Sequence, residues 1–339
     1  MSSPKESVKN RARTMKMTFA EGIAKALYES LAADPRVVLI GSNFMGLNAT
    51  AKLLMNPIVS EFSSRVMVAP ISELGIAGAG VGAAVAGRRP VVDINTGSFI
   101  FQAFAQVVNE AANVHYMSGG QTTAPVTFYC LAGIRGGGAA QHSHTTQAML
   151  GQVPGLQILT PGIPEDAYFL LKWALLESKN PSVFLSHSLL FGETAELSPG
   201  AAMLPVGQAA IRREGRDLSL IASSITVTRS LAAAVELERQ GISAEVIDLR
   251  TIVPLDTDTV LKSVAKTGRA VIADECHRRF GVAAEIAAVL AEEGFGLLRA
   301  PVRRVAVPDV PIPYSKTLEA ELIVTPEKIV SAALRAMGR

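Results

Sequence analysis

The chain has 339 residues and a formal net charge of +2. Hydrophobic residues make up 49% and charged ones 18%, which calls for extensive burial and excludes a polyelectrolyte nucleic-acid binder. The length suffices for two domains. No apolar run reaches the ~20 residues of a membrane span, and the two distant cysteines, Cys130 and Cys276, suit a reducing, cytoplasmic setting rather than a disulfide or metal framework.

Residues 1–16 carry Lys5, Lys9, Arg11, Arg13 and Lys16 with little apolar content. They lack the apolar core of a secretory signal. A short mitochondrial transit peptide or a disordered basic tail fits them, and the tail is the simpler expectation. From Met17 onward strands and helices alternate. Thr18 caps a helix to about Ala32, with Phe19, Ile23, Leu27 and Leu31 at helical spacing. Val37–Ile40 and Val66–Ala69 read as strands, and 41–48 as loop. Next come a helix beginning near Glu73, a strand at Pro90–Ile94, and a helix over Ser98–Tyr116 with Phe101, Phe104, Ala105, Val108 and Ala112 inward. Val126–Leu131 is a strand that ends in the glycine cluster Gly133–Gly138. Leu156–Leu159, Pro164–Glu177 and Ser182–Leu185 continue as strand, helix and strand.

Residues 191–207 are rich in turn formers, Ser198-Pro199-Gly200 and Pro205 among them. A domain boundary belongs there, giving a first domain over 17–195 and a second over 206–339. The second alternates again. Its strands are Leu218–Ala222, Ala244–Asp248, Ala270–Ala273 and Val302–Val307; its helices are Val227–Arg239, Asp256–Thr267, Val282–Glu292 and Pro326–Met337. The pattern specifies two α/β domains with parallel sheets. No short internal repeat is present.

Glu73 stands alone at the mouth of an apolar run, Gly75–Gly87. Small residues recur at Gly75, Gly78/Ala79, Gly82/Ala83 and Ala86, which places them on one helix face that another backbone can approach. Each glycine weakens the helix by about 1 kcal/mol against Ala, so a tight contact must offset them. A carboxylate beside an apolar surface needs a partner. The run superficially resembles a dinucleotide-binding loop, but its glycines lie inside the helical pattern rather than between strand and helix. No Walker-type loop and no Gly-Asp-Gly…Asn metal-diphosphate segment is present.

Gly136-Gly137-Gly138-Ala139-Ala140-Gln141-His142-Ser143-His144 follows a buried strand and belongs at the carboxyl edge of the sheet, where α/β folds bind ligands. Glycines admit a ligand to the backbone, and histidine titrates near neutral pH. A mobile loop with solvated histidines is the bland reading. A catalytic histidine outranks a metal site, because no third ligand stands near. His115 and His187 read as structural. Asp274-Glu275-Cys276-His277 reads as a polar loop at a sheet edge, with a subunit contact left open. Pro308–Tyr314 reads as a rigid extended brace.

Taken together, five segments resemble the beta subunit of the decarboxylating component of thiamine-diphosphate-dependent 2-oxo acid dehydrogenases, the pyruvate, branched-chain and acetoin family. They are Pro70-Ile71-Ser72-Glu73 with Gly78 and Gly82, Tyr116–Gly120, Ala140–Ser143, Val246–Ile252 with Pro254-Leu255-Asp256, and Pro308–Tyr314. The resemblance runs from Met17 to the C-terminus. It implies a pyrimidine-binding domain followed by a transketolase C-terminal-like domain. It further implies that Glu73 bonds N1′ of the cofactor's aminopyrimidine, that Phe99 stacks on that ring, and that Ile71 and Gln102 lie near the same end. His142 matches the active-site histidine, and no metal ligand falls on this chain. Thiamine diphosphate is then the cofactor, with Mg2+ on its diphosphate bound mainly by an alpha subunit in an alpha2beta2 heterotetramer. A 2-oxo acid or acetoin is the substrate, and a lipoyl acyltransferase core is a further partner.

Three positions depart from the family. Gly41-Ser42-Asn43 stands where many members have an acidic pair. The acid of the family's potassium site falls at Glu177 or gives way to Ser178, so no cation is assigned. His144 replaces a common Gln, which leaves the acyl acceptor open. Two other readings stay in view: the C-terminal half of a split transketolase moving a two-carbon ketol unit, and a non-catalytic assembly subunit. The Gln141-His142-Ser143 loop fits the former less well, and the joint presence of Glu73, Phe99 and His142 argues against the latter.

Overall fold

The structure is a computed structural model that describes residues 15–41, 49–197 and 203–339. Its first eight strands are β1 (Met15–Thr18), β2 (Val37–Gly41), β3 (Val66–Val68), β4 (Arg89–Thr96), β5 (Thr127–Leu131), β6 (Gln157–Leu159), β7 (Ser182–Ser186) and β8 (Thr194–Leu197). Six more follow: β9 (Ala210–Arg213), β10 (Leu218–Ala222), β11 (Ala244–Asp248), β12 (Thr251–Val253), β13 (Ala270–His277) and β14 (Arg303–Val307).

The larger sheet runs β12-β6-β7-β5-β4-β2-β3. Its strands are parallel except β12, which pairs antiparallel with β6. Every residue of β2, β5 and β7 is buried, as strands covered on both faces must be. Alternate residues feed opposite cores. Leu39, Val91 and Tyr129 join helix Phe19–Ala33 and helix Pro164–Leu176 on one side. Ile40, Val92 and Phe128 meet helix Glu73–Val85 and the 97–111 segment on the other. Thr18 starts the first helix with a reciprocal cap: Glu21 N–H donates to Thr18 Oγ1 (3.1 Å), and Thr18 N–H to Glu21 Oε2 (2.7 Å).

The second sheet runs β14-β13-β10-β11-β9, parallel except for β9. Helix Thr257–Thr267 begins at Asp256, whose carboxylate accepts the Thr259 N–H (2.9 Å).

Several elements differ from the sequence reading. Met15 and Lys16, read as tail, pair with Leu197 and Glu196 in the small β1–β8 ribbon. The rest of that tail, the 42–48 loop and the Ser198-Pro199-Gly200 turn lie outside the described residues. Helix Ala49–Glu61 was not anticipated, with Pro57 inside it. The expected helix over Ser98–Tyr116 is three pieces: a 3-10 turn at Gly97–Ala103, a π segment at Ala105–Ala111 and a short helix at Val114–Met117. The changed winding rotates the buried face to Ile100, Ala103, Val107 and Ala111, and leaves Phe101 and Ala105 exposed. β12 belongs to the second half of the chain by sequence, yet it completes the first sheet. Asp274–His277 is not a loop but the end of β13, with Asp274 and Glu275 buried.

Candidate active site

Glu73 is the first residue of helix Glu73–Val85. Ser72 occupies the capping position without a side-chain cap bond. The Glu73 side chain is half-buried, and among the described residues it makes no hydrogen bond or ion pair, which leaves its carboxylate open to a ligand. Ile71 beside it is 83% exposed. The small-residue face is uncovered as well: Gly75, Ala79, Gly82 and Ala86 are exposed, and a Cβ on Gly82 would meet nothing within 4 Å. Gly80 lies on the opposite face. A Cβ there would fall 2.3 Å from Val92 Cγ2, so packing against the sheet requires Gly80.

The helix packs against the 97–103 turn and the π segment that follows. That turn carries Phe99, half-buried, and Gln102, exposed. Phe99 meets the His142 ring edge to face at 5.1 Å between centroids, and Phe101 meets His144 in the same way at 5.5 Å. The two histidines, two residues apart, thus each seat on one of two phenylalanines two residues apart. No group of three His, Cys, Asp or Glu that could hold a metal ion occurs among the described residues. Burial and the nearby His277 lower the His144 pKa from its ordinary value, so the neutral ring is favoured.

The histidine loop is tied at both ends. Across its neck, the half-buried Arg135 donates from Nη2 to the His142 carbonyl (2.9 Å) and to Thr96 Oγ1 (3.1 Å). At its base, Gly133 adopts a φ of +84° against Glu275 and His187; a Cβ there would lie 2.0 Å from Glu275 Oε2. Glu275 is buried, 3.0 Å from His187 Nε2 and 3.0 Å from Arg229 Nη1. Burial pushes its carboxyl up, but His187 and Arg229 outweigh that and hold it below the usual range. Thr145 Oγ1 donates to the Glu275 carbonyl (3.1 Å). Ile134 packs with Val307 and Ile312, so the Pro308–Tyr314 segment braces this loop.

The geometry joins Phe99 to His142 and sets Glu73 at the head of the helix that supports Phe99. Ile71 and Gln102 lie on the open side. Arg135 was missed, and Glu275, visible in sequence within the Asp274–His277 cluster, was read as part of a polar loop rather than as a buried acid of β13. At the Glu177–Ser178 position, Ser178 Oγ donates to Gln157 Oε1 (2.7 Å). The buried Arg89 guanidinium donates to the Ala174 (3.3 Å), Leu175 and Ser178 (2.6 Å) carbonyls. A side-chain cation therefore already serves that helix end. Burial raises the pKa of both Cys130 and Cys276, which makes them inert thiols.

Comparison with known proteins bears on the family and the fold. The family model described as transketolase, pyrimidine binding domain, matches residues 15–192, and that of the transketolase C-terminal domain matches residues 207–329. The chain is 42% identical over 332 residues to pyruvate dehydrogenase E1 component subunit beta-1, mitochondrial, of Oryza sativa subsp. japonica, covering 97% of this chain and 88% of that one. It is 38% identical over 318 residues to pyruvate dehydrogenase E1 component subunit beta of Rickettsia felis, covering 94% and 97%. A solved split gene transketolase, an inactive beta4 tetramer, superposes with a TM-score of 0.78 at 24% identity over 95% of this chain and 99% of the other, which speaks to the fold.

Proposed function

The chain belongs to the family of E1 beta subunits of thiamine-diphosphate-dependent 2-oxo acid dehydrogenases, and from that premise we propose how its residues divide the work. Glu73 holds the aminopyrimidine end of thiamine diphosphate through the ring nitrogen, and Phe99, Ile71 and Gln102 flank it. The residues fit such a group: a half-buried carboxylate with no described partner and an exposed aliphatic side chain stand at the head of a helix that packs against the turn bearing an aromatic ring. This juxtaposition is the observation that carries the reading. The diphosphate and its Mg2+ fall mainly to an alpha subunit, which covers the small-residue face of Glu73–Val85 in an alpha2beta2 assembly.

When bound, the cofactor supplies the carbon nucleophile for the 2-oxo carbonyl and accepts the electron pair released with CO2. Glu73 would share a proton with the ring nitrogen. His142, fixed by Phe99 and by the Arg135 bond to its carbonyl, moves a proton at the substrate oxygen and faces the incoming lipoyl acceptor of an acyltransferase core. The substrate is a small 2-oxo acid or acetoin.

Co-expression with the alpha chain and assay of CO2 release from 2-oxo acids, beside acetoin cleavage, tests this. Glu73→Gln should lower kcat by about 10²–10⁴-fold, and undiminished turnover would overturn the assignment. Ketol transfer between sugar phosphates by the wild-type heteromer would favour a transketolase instead. The chain alone should bind little thiamine diphosphate in calorimetry, because it offers only one side of the site.

A further inference from the structure

Glu319 lies in the helix Lys316–Leu322 of the second domain and is 2% exposed. Its carboxylate does not face a cation: no ion pair to it occurs among the described residues. It accepts instead two successive backbone N–H groups of the histidine loop, Gly136 to Oε1 (3.2 Å) and Gly137 to Oε2 (2.6 Å). Both glycines have positive φ, +91° and +79°. Two successive loop amides thus converge on one carboxylate. A buried carboxylate without a counter-cation is costly unless such donors satisfy it. Here 182 residues of chain separate Glu319 from the Gly137 donor, so the contact is a tertiary device rather than a local turn.

What the carboxylate holds leads directly to the histidine. Two residues after Gly137, Ala139 sits at φ 53° and ψ −166°, a region that L residues occupy only when their surroundings enforce it. The turn that follows, Ala140–His142, delivers the His142 ring to Phe99. Arg135 returns to the His142 carbonyl and closes the loop. The loop is therefore pinned at its neck by Arg135 and at its glycine tip by Glu319, with the strained residue and the histidine between the pins. The ordinary structural explanation is that Glu319 merely glues the two domains together. Other groups already do that: Glu275 with His187, and Arg250 and Arg212 with Asp166. Among the described residues, Glu319 bonds to no side chain of the first domain, only to the backbone of this loop.

We propose that Glu319 is a positioning residue for His142, acting from the second domain through the Gly136 and Gly137 amides to set where the imidazole stands. This rests on the assignment of His142 as a proton-transfer group, and the test separates the two. Glu319→Gln keeps the shape but can accept only one of the two amides. In the alpha-containing heteromer it should lower kcat by about 100-fold, the cost of a catalytic group displaced on the order of 1 Å. Glu319→Asp, which keeps the charge and shortens its reach, should recover part of that loss. The effect should vanish in a His142→Ala background, since a residue that acts only through His142 has nothing left to position.

If His142→Ala alone leaves kcat unchanged, the assignment of His142 fails and the proposal with it. If His142→Ala is impaired but Glu319→Gln is not, or if the Glu319→Gln loss persists in full without the histidine, the positioning role alone is overturned. Amide hydrogen exchange on the wild-type heteromer gives a reading that needs no variant. The Gly136 and Gly137 amides should exchange far more slowly than exposed loop amides, and rapid exchange in the folded protein would also overturn the proposal.

Discussion

The Phe99 and His142 rings meet edge to face with centroids 5.1 Å apart and planes inclined by 70°. This contact links the two halves of the site in this chain, because Phe99 rides on the turn that helix Glu73–Val85 packs against, and His142 rides on the loop held by the second domain. Aromatic pairs of this geometry contribute about 0.5–1.5 kcal/mol beyond burial. That is enough to bias a ring toward one orientation but too little to fold a domain.

Phe99→Leu should therefore spare the fold and harm the reaction. Leucine keeps the apolar volume and loses the ring edge. We expect a thermal midpoint within a few degrees of wild type and a raised KM for thiamine diphosphate, with kcat reduced in the heteromer. Scanning calorimetry and cofactor-dependent steady-state rates would check it. Unchanged rates with an unchanged KM would remove Phe99 from the site.

The two-domain plan was legible because buried parallel strands write themselves as short continuous apolar runs, such as Val37–Ile40 and Leu218–Ala222. Glu73 and His142 stood out for a related reason: each interrupts a run of small apolar residues with one polar group. The ties between domains were not legible. β12 is three residues long and pairs only because β6 offers it an edge. Glu275 and Glu319 look like surface acids until tertiary structure buries them against backbone amides and a histidine. The 97–111 segment shows helical spacing, but its pitch changes from 3-10 to π along its length, and a single-period reading then misassigns Phe101 and Ala105.

Gly80 and Gly82 are two residues apart and should respond to alanine with opposite signs. At Gly80 the new Cβ meets Val92 in the core. Overpacking of this kind costs about 1–3 kcal/mol, more than the helix propensity gained. At Gly82 the Cβ enters open space, so the isolated chain should gain about 1 kcal/mol from propensity alone. Urea unfolding of the chain would show both. The heteromer should show the reverse preference at Gly82, with weaker assembly by light scattering, because the partner needs that close approach.

Acid should loosen the contact between helices Phe19–Ala33 and Pro164–Leu176. Glu29 receives Lys25 (2.6 Å), Lys172 (2.5 Å) and the Tyr168 hydroxyl (2.6 Å). Burial pushes its carboxyl up, yet these partners outweigh burial and hold it at about 2 against an ordinary 4.5. A depressed folded-state value means the stabilisation is complete above pH 4.5 and is lost as pH falls toward 2. The group is partly exposed, so screening limits the effect to about 1 kcal/mol or less. Glu29→Gln should lower the urea midpoint at neutral pH, and that difference should shrink through this window. A constant difference across it would contradict the account.

Arg250 carries the largest prediction for stability. It is 2% exposed and holds a φ of 59°. Its Nε donates to Asp166 Oδ1 (2.8 Å), Nη1 to the Pro205 (3.0 Å) and Gln208 (2.7 Å) carbonyls, and Nη2 to that of Leu204 (3.2 Å). Asp166 opens a helix of the first domain and also meets Arg212, which reaches Asp248 (2.9 Å) in the second. The guanidinium therefore spans the domain interface and satisfies the connecting segment's carbonyls at once. Arg250→Ala would leave a buried carboxylate short of one partner and take a donor from three carbonyls of the connecting segment. Breaking a buried pair from one side costs about 3–5 kcal/mol, so urea unfolding should show a loss of that size. Arg250→Lys should recover little of it, because a single ammonium cannot reproduce a fork that serves four acceptors. Recovery by lysine to near wild-type stability would mean that charge alone, rather than the planar geometry, joins the two domains.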